Sequence, residues 1–234
     1  MNMLAIDTST QILGVALMKN DIVVAEMTTN LKKDHSSRLM PVLNQLMQQA
    51  DMKPEDLHKI VVAHGPGSYT GTRIGVTTAK TLAWTLDIPI IPVSSLKALG
   101  YNAAPYQGYV CPFFDARREA VFTGLYHFSA GVFSLVKEDR HIKMEEWTTE
   151  LNTLQKPILF LSPDFAKHQA CLNESGLARV HAPDSSHLLR PSNLLMLAET
   201  EPAVPAHEVT PNYLRVTEAE ANWKKRQKEE KNNG

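Results

Sequence analysis

Short apolar runs alternate with stretches of helical spacing along the first hundred residues. Residues 3–6 are apolar and stop at Asp7. Residues 12–18 and 22–28 follow, joined by the polar turn Lys19-Asn20-Asp21, and all three runs predict strands. Over residues 36–50 the apolar positions Leu39, Val42, Leu43, Leu46 and Met47 fall three and four apart, which predicts a helix. Pro41 sits in its first turns, where proline costs least. A brief turn at 54–57 leads to a strand at 60–63, a glycine loop, and a helix over 72–86. A strand at 89–93 and a helix opening at Ser94-Ser95-Leu96 complete the order βββαβαβ.

A looser copy follows, with strands at 109–114, 120–128 and 132–144, a helix at 145–154, a strand at 158–161, and helices at 163–175 and 190–200. Asp7 and Asp115 each end a first strand and precede a strand containing a glycine, Gly14 or Gly124. Two βββαβα lobes with an aspartate at each first hairpin describe an α/β, actin-like (ASKHA, ribonuclease H-like) duplicated fold, in which ATP lies between the lobes. The expected domains are residues 1–103, joined by a C-terminal segment at about 208–234, and a smaller lobe at 104–200. Residues 201–211, with Pro202, Pro205 and Pro211, read as a linker. Thr217-Glu218-Ala219-Glu220 then reads as a capping box that opens a last helix.

Composition narrows the setting. A hydrophobic share of 43% and a charged share of 21% are those of an ordinary globular protein. The net charge of −1 gives no overall electrostatic drive toward nucleic acid or membrane. The two cysteines, Cys111 and Cys171, stand far apart in apolar contexts and read as free thiols of a reducing compartment. The opening apolar run breaks at its seventh residue, unlike a signal peptide, and no run approaches the ~20 residues that cross a bilayer. A cytoplasmic location is expected.

The candidate chemistry centres on His64-Gly65-Pro66-Gly67-Ser68-Tyr69-Thr70-Gly71, a glycine loop between strand and helix. Such loops let backbone amides approach an anion, commonly phosphate, at a helix N-terminus. The glycine spacing matches neither the dinucleotide fingerprint nor the P-loop, and a tight turn explains it equally well. Gly65, Gly67 and Ser68, with Asp7 and Arg117, are the candidate nucleotide or anion contacts. Ordinary turn chemistry for Asp7 and a surface ion pair for Asp115 with Arg117 and Arg118 are the competing readings. Beyond the loop, Gly71, Gly75, Ala79 and Ala83 recur every four residues and share one helix face, against which a second helix or a sheet can pack closely.

Several segments, in order, resemble the bacterial TsaB (YeaZ) family. They are Leu4-Ala5-Ile6-Asp7-Thr8-Ser9, His35-Ser36 ahead of Leu39 and Pro41, the glycine loop running into Arg73-Ile74-Gly75, Val93-Ser94-Ser95-Leu96, Asp115-Ala116-Arg117-Arg118 and Tyr213-Leu214-Arg215. The resemblance runs almost from end to end. It implies an actin-like fold and a role in forming threonylcarbamoyladenosine in tRNAs that read codons beginning with A. It also implies a non-catalytic part beside the paralogous transferase TsaD and the ATPase TsaE, with tRNA met indirectly through that complex. On this resemblance the two first-lobe helices lie side by side and form half of a four-helix contact with TsaD. The expected interface is Ser36, Leu39, Met40, Leu43 and Met47 on one helix, and Gly71, Arg73, Gly75, Val76, Ala79, Lys80 and Ala83 on the other. Without TsaD the same surface is expected to pair two copies. No cofactor is expected on this chain alone, with ATP or ADP at the subunit junction.

The residues themselves point the same way. The transferase's metal site has histidines four apart after the strand that follows the glycine-loop helix. The matching stretch here, Pro92-Val93-Ser94-Ser95-Leu96-Lys97-Ala98-Leu99, has none, and no two of the nine histidines stand four apart, so no metal site is expected. The second lobe lacks the paired glycines of an ATP clamp. Ser68 lacks a Gly-x-Ser-x-Gly context, and only His64 lies near it in sequence. No catalytic residue is therefore expected. Two alternatives stay open: an actin-like ATPase or kinase using Asp7, the loop and Asp115, or a peptidase using Ser68.

Overall fold

The computed structural model describes residues 1–31, 34–104 and 106–215. Among them, ten strands form two mixed five-stranded sheets. The first contains β1 (Met3–Asp7), β2 (Ile12–Lys19), β3 (Ile22–Asn30), β4 (Lys59–Ala63) and β5 (Ile90–Val93), in the order β3-β2-β1-β4-β5. The second contains β6 (Gly108–Asp115), β7 (Ala120–Ser129), β8 (Val132–Lys143), β9 (Ile158–Leu161) and β10 (Arg179–Val180), in the order β10-β9-β6-β7-β8. In each, the central strand pairs antiparallel with the next strand in sequence and parallel with a later one. The duplicated α/β actin-like architecture is thus present, with β6 in the place of β1. The two-residue β10, too short to leave a periodic signal, is the strand missing from the sequence reading.

Helices α1 (His35–Gln49) and α2 (Tyr69–Leu86) cover one face of the first sheet. Asp34 caps α1 by accepting the Ser36 N–H at 3.0 Å, and Ser68 caps α2 by accepting the Gly71 N–H at 3.2 Å. The small-residue stripe faces inward. Gly71, Gly75, Ala79 and Ala83 are buried, and the Thr8 hydroxyl donates to the Gly71 carbonyl at 2.7 Å. A Cβ on Gly75 would stand 2.5 Å from Thr8 Oγ1, while one on Gly71 would overlap the Thr8 carbonyl. The stripe therefore brings α2 onto its own sheet and is not an outward groove. Leu39, Leu43, Met47 and Val76 are likewise buried in this core, which corrects their expected place in an interface.

The other α-helices among the described residues are α3 (Ser95–Gly100), α4 (Met144–Asn152), α5 (Phe165–Glu174) and α6 (Ser192–Leu197). Helices α4 and α5 cover one face of the second sheet through Trp147, Leu151 and Leu172. The other two are exchanged. Leu96 and Leu99 of α3, which follows the first sheet in sequence, pack on Val110, Phe114 and Leu159 of the second. Leu194, Leu195 and Leu197 of α6, which follows the second sheet, pack on Met3, Ala5, Ala16 and Val61 of the first. Each lobe is closed by a helix from the far side of the chain.

Residues 201–211 do not behave as a linker. Val204 forms an antiparallel bridge with Ile90, with N···O distances of 3.0 and 2.8 Å, and Ala206 and Val209 are buried. The Lys80 ammonium holds the strap by donating to the carbonyls of His207 and Val209 at 3.2 and 2.8 Å. The prolines supply extended backbone at the sheet edge. The capping box at 217–220 lies outside the described residues. No helix among the described residues is long and apolar enough to cross a membrane.

The inward stripe predicts that Gly75→Leu loses about 1–3 kcal/mol or more by overpacking against Thr8. Thr77→Leu, on the exposed face of the same helix, changes stability by less than about 0.5 kcal/mol. Urea denaturation of both variants checks the orientation.

Candidate functional site

A cavity of about 830 Å³ lies between the lobes. Its first-lobe wall comes from the β1–β2 turn at Ser9, Thr10 and Gln11, the glycine loop from Pro66 to Thr70, and the strap from Asn212 to Arg215. Its second-lobe wall comes from the β6–β7 hairpin and the start of α5. Of the five candidate anion contacts, Gly67, Ser68 and Arg117 line it and the other two do not. Asp7 is 2% exposed and turned into its own loop, where Oδ1 accepts the Ser9 N–H at 2.9 Å and the Ser9 hydroxyl at 2.7 Å. Burial raises its carboxyl above the ordinary range, and the two Ser9 hydrogen bonds oppose that rise. Gly65 is fixed against Ser95, donating to its hydroxyl at 3.1 Å and accepting its N–H at 2.9 Å. Both residues build the turn and do not reach the cleft.

Asp115 occupies the second lobe's equivalent place, and three residues from the start of α5 converge on it. Oδ2 accepts the Lys167 ammonium at 3.1 Å, Oδ1 lies 3.1 Å from His168 Nε2, and its own N–H donates to Asp164 Oδ2 at 3.2 Å. Burial pushes this carboxyl up, but the hydrogen bonds from Lys167 and His168 outweigh it and hold it below the ordinary range. No motif in the sequence joins position 115 to positions some fifty residues on, so Asp164, Lys167 and His168 were not foreseen.

The hairpin beyond Asp115 has an unusual backbone. Arg117, Arg118 and Glu119 are consecutive left-handed residues, with φ of 64°, 51° and 62°. Non-glycine residues rarely adopt this region, and clusters of them tend to mark working surfaces. The Arg117 N–H donates to Asp115 Oδ1 at 3.2 Å, and Ala116 and Ala120 close the turn at 2.8 Å. Arg117 and Arg118 both line the cleft, joined by Arg215, whose Nη1 donates to the Ala116 carbonyl at 3.4 Å. On the opposite rim Tyr69 and Tyr213 stack with centroids 4.9 Å apart. Arg73 lies 4.2 Å from the Tyr69 ring centre and donates through Nε to the Tyr213 hydroxyl at 2.8 Å.

A second polar cluster ties the lobes together. Asp139 on β8 accepts the Tyr126 hydroxyl at 2.6 Å and the Ser94 hydroxyl at 2.5 Å. Ser94 also caps α3 by accepting the Lys97 N–H at 3.2 Å. Burial raises the Asp139 carboxyl, and the Ser94 and Tyr126 hydroxyls counter part of that rise. Register shifts between β7 and β8 accompany Asp139 and leave it outside the regular pairing. Alternation in the sequence carries no trace of that bulge.

Ser68 and His64 do not form a hydrogen-bonded pair. The Ser68 hydroxyl caps α2, and His64 turns Nδ1 toward the Thr210 carbonyl at 3.4 Å. Among the described residues no three His, Cys, Asp or Glu side chains group to hold a metal ion. Of the twelve expected interface residues, Ser36, Met40 and Arg73 are exposed and Lys80 is half-buried. Trp84, not foreseen, is 74% exposed on the outer face of α2.

The family model described as TsaD, tRNA N6-adenosine threonylcarbamoyltransferase, matches residues 23–223. The tRNA threonylcarbamoyladenosine biosynthesis protein TsaB of Bacillus subtilis (strain 168) is 47% identical over 97% of this chain and 100% of its own. Its namesake from Escherichia coli (strain K12) is 29% identical over 96% and 98%. Among solved structures, a Pseudomonas aeruginosa protein with similarity to peptidase YeaZ superposes with a TM-score of 0.80 at 25% identity, covering 92% of this chain and 99% of that one.

The Asp115 cluster has a defined pH signature. A carboxyl held below its unfolded value contributes stability that is present above about pH 4 and lost as pH falls through the lowered folded value. Asp115→Asn should therefore destabilise the protein at pH 7, and the difference should shrink progressively as the pH is lowered below about 4. Urea midpoints measured across that range test this.

Proposed function

The chain belongs to the TsaB (YeaZ) family, and from that premise we propose that it serves threonylcarbamoyladenosine formation in tRNA as a non-catalytic subunit of the TsaD transferase. One observation carries the pairing. Trp84 and Met40 stand 74% and 47% exposed on the outer faces of α2 and α1, two helices that cover the same side of the first sheet. Aromatic and methionine side chains so placed are typical anchors of protein interfaces. The proposed contact therefore keeps Ser36, Met40, Arg73 and Lys80 from the sequence reading and adds Thr77, Thr81 and Trp84. About 800 Å² per partner suffices for specific pairing.

The non-catalytic part of the reading is supported by how the candidate groups are engaged. Asp7 is held by Ser9, Ser68 caps a helix, and Asp115 is held by Lys167 and His168. In this reading the chain holds TsaD in its productive arrangement and helps to seat TsaE, with ATP or ADP at the subunit junction and not on this chain alone. In the absence of TsaD it pairs with a second copy through the same face, and it works in the cytoplasm.

Trp84→Glu combined with Met40→Asp should weaken co-elution with TsaD by at least about tenfold and leave the circular dichroism spectrum unchanged. The same variant should sediment as a monomer. Unchanged pairing with TsaD refutes this face as the interface.

A further inference from the structure

The inter-lobe cleft has features that pairing through α1 and α2 does not use. The chain carries a net charge of only −1, yet three arginines converge on this one concavity, Arg117 and Arg118 from the second lobe and Arg215 from the strap. Lys167, the other cation in the lining, lies between Asp115 and Asp164 at 3.1 and 2.7 Å and is engaged there. Guanidinium groups match phosphate oxygens in a two-point fork that lysine cannot offer. Arg117 is exposed and makes no ion pair among the described residues. Its backbone and those of the next two residues are left-handed, a conformation that tight hairpin turns use.

Opposite the arginines, Tyr69 and Tyr213 each remain 42% exposed. Arg73 fixes their orientation from the helix side, so the pair is a rigid aromatic surface at the rim of the cleft. Rings with a pre-set orientation beside arginines are the usual elements of single-strand recognition, where bases stack and phosphates meet cations. A base at the rim, with its phosphates leading toward the hairpin, engages both walls of a cavity of about 830 Å³.

We propose that this cleft binds a single-stranded RNA segment directly, stacking a base on the Tyr69–Tyr213 pair and holding adjacent phosphates with the Arg117–Arg118 hairpin. RNA is the partner class because the family serves tRNA modification, and a single strand because a duplex leaves no base face open to the tyrosines. The contact shares Arg73 with the α1–α2 face but not Trp84 or Met40, so the variants that test one reading leave the other intact.

The test uses the full chain and a labelled, unstructured RNA of about twelve nucleotides, followed by fluorescence anisotropy between about 50 and 200 mM salt. Arg117→Asn, chosen because asparagine tolerates a left-handed backbone, should weaken binding several-fold. It should also flatten the slope of log affinity against log salt by about 0.7. Tyr213→Leu or Tyr69→Leu should weaken binding by about 5- to 100-fold and leave that slope unchanged. The same sequence as a duplex should bind more weakly, whereas the Trp84→Glu variant should bind as the wild type does. The proposal is overturned if the strand does not bind, if both variant classes bind normally, if the duplex binds equally, or if AMP displaces the strand at equal nucleotide concentration.

Discussion

The approach of α2 to β1 sets the rest of the molecule. Gly71 and Gly75 leave no side chain between helix and strand, so the backbone of α2 lies against Thr8, and the Thr8 hydroxyl closes the contact at 2.7 Å. That one contact fixes where the helix begins, and hence where the glycine loop turns. It also places Ser68, Tyr69 and Thr70 on the rim of the cleft. The polar groups of this loop are satisfied within the chain, Asp7 by Ser9 and Ser68 by the helix it caps.

Architecture was legible because it is written in local periodicity. The alternation of short apolar runs with helical spacing places nine of the ten strands, and the recurrence of an aspartate after each first strand identifies the duplication. The orientation of the stripe was not legible. A face of small residues says that something packs closely, but the same pattern serves a helix partner and a sheet of the same chain. The buried Leu39, Leu43 and Met47 carry the same ambiguity, since an apolar helix face has no label for its partner. Trp84 carries no periodic signal that separates an exposed tryptophan from a buried one, and only the structure shows its 74% exposure.

The cleft was half legible. Gly67, Ser68 and Arg117 could be named because the glycine loop and the Asp115-Ala116-Arg117-Arg118 run are local patterns. The groups that support it come from far along the chain, Lys167 and His168 on Asp115 and Tyr213 on Tyr69 and Arg73, and the separate Asp139 cluster likewise draws in Ser94 and Tyr126. Such pairings depend on the three-dimensional path, and no spacing rule records them. The strap shows the same limit, since its prolines mark extended backbone equally in a free linker and in a segment bridged to Ile90.

The exchange of α3 and α6 restricts how the two halves can move. Jaws that swing apart about a flexible joint need each half to carry its own cover, and here each cover is anchored to the opposite side. Swinging would strip Leu96 and Leu99 from one sheet and Leu194 and Leu195 from the other. Adjustment between the halves is therefore confined to shear, a sliding of packed layers by small amounts. A body built this way presents its cleft as a nearly fixed shape, set by the packing of its two exchanged helices.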